Sequence, residues 1–283
     1  MTVILVSGNT PGVGVTTVAA GLAHRLAYAG HAVRLERLSG DARAERDAAA
    51  FALLEFVDAS GSPVEVDAIV PGAAVTVVDA SSSENAAGLA TRLGASLVLV
   101  TLSDSETVLG GGALTIMNHT RRLGSLQLPE DRLLAAPTVG DLIAASHARV
   151  LARSTKGERA LCEHIVIGAI SHDSDQPYFA RFPRKAVVTR AEKVDVSLSA
   201  LRTGAECLIL TGGSDPSPYL LDRVASARGT TLLVAPEGTV ETVRDIEGTF
   251  GRSLFAGEVK AERIGALMAT AVDDVALSKL LEQ

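Results

Sequence analysis

The chain contains no tryptophan, and aromatic residues make up only 3% of its 283 residues. A core without large rings must be filled by Ala, Val and Leu, and small side chains of this kind suit helices packed closely on a sheet. Cysteine is almost as scarce. Cys162 and Cys207 are the two in the chain, each within or beside an apolar run. Two cysteines so placed are expected to be buried thiols in a reducing, cytoplasmic setting, with a disulfide or a metal site as the lesser alternative. No apolar run is long enough to span a bilayer, and "MTVILVSG" lacks the basic lead-in of an export signal, so no membrane role is expected. A formal net charge of -7 with no basic stripe excludes a binder of nucleic-acid backbone. The six histidines are scattered and show no metal-ligand spacing. Lysine, finally, is missing from every position before Lys156.

What the chain does have is a 47% hydrophobic content over a length that favours two domains. Short Val/Ile/Leu runs recur at Val3 to Val6, Val33 to Arg37, Val75 to Asp79, Leu97 to Thr101 and Leu114 to Met117. Nearly continuous apolar strands of this sort are buried on both faces, as in parallel sheets. Helical patterns over Thr16 to Ala29, Asp47 to Val57 and Glu84 to Leu93 alternate with them. This order predicts an α/β fold, a doubly wound and mostly parallel sheet joined by right-handed crossovers. A proline-marked stretch and a helix starting near Thr138 divide the chain into expected domains 1–137 and 138–283. In the second, smaller α/β domain, strands are expected at Ile165 to Ile170, Ala186 to Thr189, Leu208 to Thr211 and Leu232 to Ala235. Its helices are expected at Val196 to Arg202, Pro218 to Arg228, Val240 to Gly248 and Ala261 to Val272. Ser217 followed by Pro218 is a strong helix start.

Between the first strand and the first helix lies "SGNTPGVGVTT". Successive amides of a glycine-rich turn, together with the positive end of the following helix, form a site for phosphate. Gly8, Gly12 and Gly14 allow the chain to approach an anion closely. The candidate contacts run through Gly8, Thr10, Gly12, Val13, Gly14, Val15, Thr16 and Thr17, with Thr16 placed to offer a hydroxyl to magnesium. The strict phosphate-loop pattern is not met, because Val15 stands where such a loop carries its lysine. A lysine there acts as a compact cation on the transferring phosphate, and losing one such contact removes roughly 3–4 kcal/mol of transition-state stabilisation. The same residues also describe a turn that merely packs a helix onto a sheet.

"GNTPGVGVTT" resembles the loop of dethiobiotin synthetase and its relatives. The resemblance places Arg37, in "AVRLERL", where the family has a catalytic lysine; arginine cannot supply that amine chemistry because it stays protonated. It further implies magnesium at Asp47 and Asp79 and adenine contact at Asn118 in "GALTIMNHT". Taken without it, Asp79 is equally a solvated strand end and Asn118 a turn former. The second half, with "PTVGDLIAASHARVL", "IVIGAISHDSDQPYFAR", "KAVVTRAEKVDVSLSAL" and "LTGGSDPSP", resembles the DRTGG domain, the middle module of long bacterial phosphotransacetylases. Those enzymes also begin with a dethiobiotin-synthetase-like domain, and their catalytic domain has no counterpart in these residues. Where that module carries Gly-Asp-Arg, this chain reads "TRAEKVD", leaving Arg190, Glu192 and Asp195 as charged candidates. Thr211, Gly212, Gly213 and Ser214 complete the candidate second ligand site, with amides available to an anion or carbonyl.

The leading expectation is a non-catalytic, ligand-sensing regulatory protein that takes ATP, another nucleotide or a phosphorylated metabolite, with magnesium as a candidate companion. A homodimer and a separate acyltransferase or other enzyme chain are the partners the resemblance implies. Two other readings stay open: an ATP-dependent ligase or amidotransferase-like enzyme of the dethiobiotin synthetase class, and a structural partner with empty clefts.

Overall fold

The computed structural model describes residues 2–69, 72, 74–83, 85–102, 114–168 and 178–282. The chain divides into two compact units, residues Met1–Leu134 with Leu254–Gln283, and Ala135–Ser253. Among the described residues no helix is long and apolar enough to cross a membrane. Glu84, Ile170 and His172 of the expectations above lie outside the described residues.

The first unit runs β1 (Val3–Gly8), α1 (Val15–Tyr28), β2 (Val33–Arg37), α2 (Ala44–Phe51), β3 (Val75–Ser82), α3 (Ala86–Leu93), β4 (Ser96–Leu102), β5 (Leu114–Thr120) and β6 (Gln127–Pro129). Its six described strands pair in parallel in the order β2-β3-β1-β4-β5-β6. The chain winds outward from β1 to one side, returns through β3, and then crosses β1 to reach β4. This makes the carboxyl end of β1 the point where the winding direction changes, and such points are where open α/β sheets form crevices. Alternation along β1 sets both cores. Ile4 and Val6 face the cluster containing α1, whereas Val3 and Leu5 face the cluster containing Ala86 and Ala90 of α3. α2 starts earlier than its apolar stripe suggested and ends at Phe51, so that Asp47 is buried inside it.

A short α4 (Arg132–Ala135) leads into α5 (Val139–Ser146), β7 (Arg149–Ala152), β8 (His164–Ile167), β9 (Lys185–Arg190), α6 (Val194–Arg202), β10 (Cys207–Thr211), α7 (Pro218–Ala227), β11 (Thr231–Val234) and α8 (Thr239–Glu247). The five-stranded sheet has the order β7-β11-β10-β9-β8, parallel throughout except where β7 runs antiparallel to β11. β7 is an addition to the expected strands. α5 opens on a reciprocal Thr138–Asp141 capping box and stops at His147, whose left-handed backbone (φ 49) turns the chain into the strand. Val187, Leu208, Leu210 and Leu232 pack against α6 and α7; Ala186, Val188, Ile209 and Leu233 pack on the opposite face with α5 and α8. Cys162 and Cys207 are buried free thiols in the latter cluster, and burial raises the pKa of both.

The chain then re-enters the first unit with α9 (Glu258–Ala271) and α10 (Asp274–Leu281). This corrects the expected domain 138–283: residues Leu254–Gln283 cluster with the first sheet, not the second. The reason is packing. Ala261, Ile264, Leu267 and Met268 of α9 sit in the same cluster as Val18, Leu22 and Leu26 of α1. The two helices approach so closely that a methyl group on Gly21 would lie 2.5 Å from Ile264 Cγ1, and one on Gly265 would collide with the His24 ring. α10 is tied down by its carbonyls: Thr2 Oγ1 donates to Leu281 O at 3.1 Å and Ser96 Oγ to Leu280 O at 2.9 Å.

Gly21→Ala should therefore cost about 1–3 kcal/mol by overpacking, even though alanine is the better helix former. In scanning calorimetry the transition of the first unit should fall, while that of residues 135–253 stays in place; equal displacement of both would refute the division of the chain into these two units.

Candidate functional site

At the carboxyl end of β1 the chain turns through Asn9 to Gly14 into α1. Gly12 (φ 83) and Gly14 (φ 92) both adopt the left-handed backbone that disfavours other residues. Two of the loop's side chains turn inward. Val13 and Val15 are 1% and 6% exposed, and both belong to the core under α1. They close over Gly8, where a methyl group would meet Val13 Cγ2 at 2.5 Å and Val15 Cγ2 at 2.7 Å. The outer side of the turn is different: Thr10, Pro11 and Gly12 are exposed, and Gly14, Thr16 and Thr17 are half-buried. α1 has no side-chain cap and no acidic residue in its first turn. Among the described residues, no hydrogen bond engages the amides of Val13 through Thr17, as the geometry of a helix start leaves them.

Asn118, at the end of β5, is committed to this turn. Its Nδ2 donates to Val13 O at 2.8 Å, and the same amide group would collide with any side chain on Gly14. Asn118 thus braces the loop.

Beside the strand that leads into the turn lies a buried ionic cluster, with Asp79 in register with Val6 of β1. Arg37 ends β2 opposite Asp79 of β3 in the sheet register, and only 1% of its side chain is exposed. Its Nε lies 3.4 Å from Asp79 Oδ2 and 3.6 Å from Asp47 Oδ2, its Nη2 pairs with Asp41, and its Nη1 donates to Leu38 O at 2.7 Å. Burial works against the guanidinium charge, but Asp79 and Asp41 outweigh it and hold Arg37 protonated. Asp79 is 0% exposed. Burial pushes its carboxyl up to about 6, against the pull of Arg37, the Ser81 amide and the Thr16 hydroxyl; burial also raises Asp47. Asp41 is the member of this cluster that the sequence did not single out, and its signal was its position four residues after Arg37.

The magnesium site implied for Thr16, Asp47 and Asp79 does not fit this arrangement. Asp47 and Asp79 both turn their carboxylates to the Arg37 guanidinium, whose Nε already occupies the space between them. Among the described residues no cluster of three or more His, Cys, Asp or Glu could hold a metal ion.

In the second unit, the carboxyl ends of the interior strands β9 and β10 bring Arg190, Glu192, Asp195 and Thr211 to Ser214 to one end of the sheet. Arg190 and Glu192 form an exposed ion pair at 3.1 Å, and Asp195 lies in the first turn of α6. Thr211 is buried and shares a 2.8 Å hydrogen bond with Thr239, a neighbour that residue spacing does not reveal. Gly212 (φ 88) and Gly213 (φ 69) make the turn, but their amides already donate to Glu237 O and Ala235 O at 2.7 and 2.9 Å. The expected offer of these two amides to an anion is therefore corrected. Ser214 remains exposed beyond them.

With this geometry in place, comparison with known proteins identifies part of the chain. The DRTGG domain family model matches residues 141–249, so a DRTGG domain makes up most of the second unit. Among solved structures, the CBS and DRTGG domains of the regulatory region of Clostridium perfringens pyrophosphatase, complexed with its activator diadenosine tetraphosphate, are similar at 12% identity. The match covers 52% of this chain and 70% of that one, with a TM-score of 0.37, too distant to carry residues or ligands between them.

The ionic cluster has a pH signature. Between the ordinary carboxylate range and about pH 6 the folded chain keeps a proton on Asp79 that the unfolded chain has released. The stability contributed by this group is therefore full at low pH and lost as pH rises through about 6. Arg37→Met strands the carboxylates and should cost about 3–5 kcal/mol at pH 8. Urea unfolding should show a smaller deficit at pH 5, where Asp79 is neutral; a deficit that is the same at both pH values would refute the assignment.

Proposed function

We propose that this chain is a non-catalytic ligand-sensing protein whose first unit holds a nucleotide or phosphorylated metabolite on the amides of Gly12 to Thr17. The carrying observation is the two-sided turn. Its valines are folded into the core, while the amides of Val13 to Thr17, at the start of a 14-residue helix, have no hydrogen-bond partner among the described residues. Such amides and the helix dipole favour a phosphate. Turnover needs a mobile cation on the transferring group, whereas Val15 is apolar and Arg37 is enclosed by Asp41, Asp47 and Asp79.

In this reading the protein is related to the N-terminal region of long bacterial phosphotransacetylases. It works in the cytoplasm as a homodimer alongside a separate acyltransferase or other enzyme chain. The DRTGG domain supplies the second, small-molecule site at the rim of Arg190, Glu192, Asp195 and Thr211 to Ser214. Occupancy of either site acts by favouring one arrangement of the protein over another.

Titration calorimetry with ATP, paired with a phosphate-release assay, tests this. Binding without phosphate release is expected, and Gly14→Val should abolish the binding, because φ 92 and the Asn118 amide both exclude a side chain there. Phosphate release by the purified chain would favour the ATP-dependent ligase reading. No heat with ATP, ADP or inorganic phosphate would overturn the proposal in favour of a structural partner.

A further inference from the structure

The first unit surrounds one guanidinium with three carboxylates contributed by three different segments: Asp41 after β2, Asp47 in α2 and Asp79 in β3. Arg37 carries 1% side-chain exposure, and Asp47 and Asp79 carry 6% and 0%. Carboxylates buried this deeply require a counter-charge. In a phosphate site that counter-charge is ordinarily a divalent cation, held by one or two carboxylates and a loop hydroxyl. Here the sequence places an arginine at the end of β2, in register with Asp79 on the adjacent strand. A magnesium ion at Asp79 and Asp47 would lie within a few ångströms of a fixed positive charge, in surroundings that screen poorly.

We infer that Arg37 is a built-in replacement for the divalent cation, so that the glycine loop takes its phosphate-bearing ligand without magnesium. The inference rests on the loop-binding reading above for its ligand, but its metal half stands alone. As a fixed cation, Arg37 spaces Asp41, Asp47 and Asp79 around itself, and so placed they do not close on a metal ion. Removing it leaves three carboxylates around the space where the guanidinium was, free to close on a cation.

Two measurements on the full chain decide this. Manganese, followed by electron paramagnetic resonance without any nucleotide, should show no binding to the wild-type protein. Arg37→Ser should acquire manganese binding, and added manganese or magnesium should raise its melting temperature by several degrees while leaving the wild-type value unmoved, since only a ligand of the folded state stabilises it. Should Arg37→Ser fail to fold without metal, recovery of folding on adding manganese is the same result, and failure with metal present overturns the replacement role. ATP binding to the wild type should be equal in magnesium and in EDTA. Binding that strengthens tenfold or more with magnesium, about 1.4 kcal/mol, or manganese binding to the wild type, overturns the inference and leaves the loop-binding reading standing. If ATP binds under neither condition, that reading falls, and the manganese arm still decides the role of Arg37.

Discussion

A charged guanidinium with almost none of its surface in water is stable only among anions, and the first unit supplies three. The Arg37 cluster joins β2, β3, α2 and the segment between β2 and α2 at one end of the sheet. It also lies beside the strand that leads into the glycine turn, Asp79 being in register with Val6 of β1. Truncating one partner in such a network leaves the others buried without compensation, whereas an apolar replacement of the whole cluster can be neutral. The presence of the entire set therefore speaks for a local electrostatic purpose at the turn rather than for stability alone.

The turn itself combines two features that normally exclude one another. A phosphate loop is open because its lysine reaches outward, and a packing turn is closed because its side chains go inward. Here Val13 and Val15 fill the core while the backbone retains the left-handed glycines and unpaired amides of the open form. Asn118 makes this possible by donating to the one carbonyl, that of Val13, which the inward rotation leaves facing β5. The result is a braced turn that carries donors but no cation of its own. Binding and turnover are separable at such a surface, because donors select a charge that is present in the ground state as well as in the transition state.

Most of the sheet was legible from residue pattern. β2 begins and ends where its Val33 to Arg37 run does, and β10 and β11 coincide with their apolar runs to within one or two residues, because buried parallel strands write their boundaries in composition. The place of α9 was not legible. Its apolar stripe states that one face is buried but not against which partner, and the decisive complementarity, Gly21 against Ile264 and Gly265 against His24, joins residues far apart in the chain. β7 was hidden because "HARVLA" is short and follows a helix whose stop depends on one residue, His147, adopting an uncommon backbone. In the candidate site, the turn and Asp79 were visible as a motif. The commitments of Asn118, Gly212 and Gly213 were not, since a hydrogen bond donated inside the fold leaves no trace in spacing.

The return of the chain to its starting unit has a consequence for biosynthesis. β1 and α1 are made long before α9, and the surface of α1 that α9 covers stays bare until then. The intervening 135–253 unit has all its own strands by that point and can reach its final form earlier. The amino-terminal segment therefore waits with the face of α1 at Gly21 and His24 uncovered, a long-range closure that is slow by its nature. Translation order and folding order run in opposite senses in this molecule.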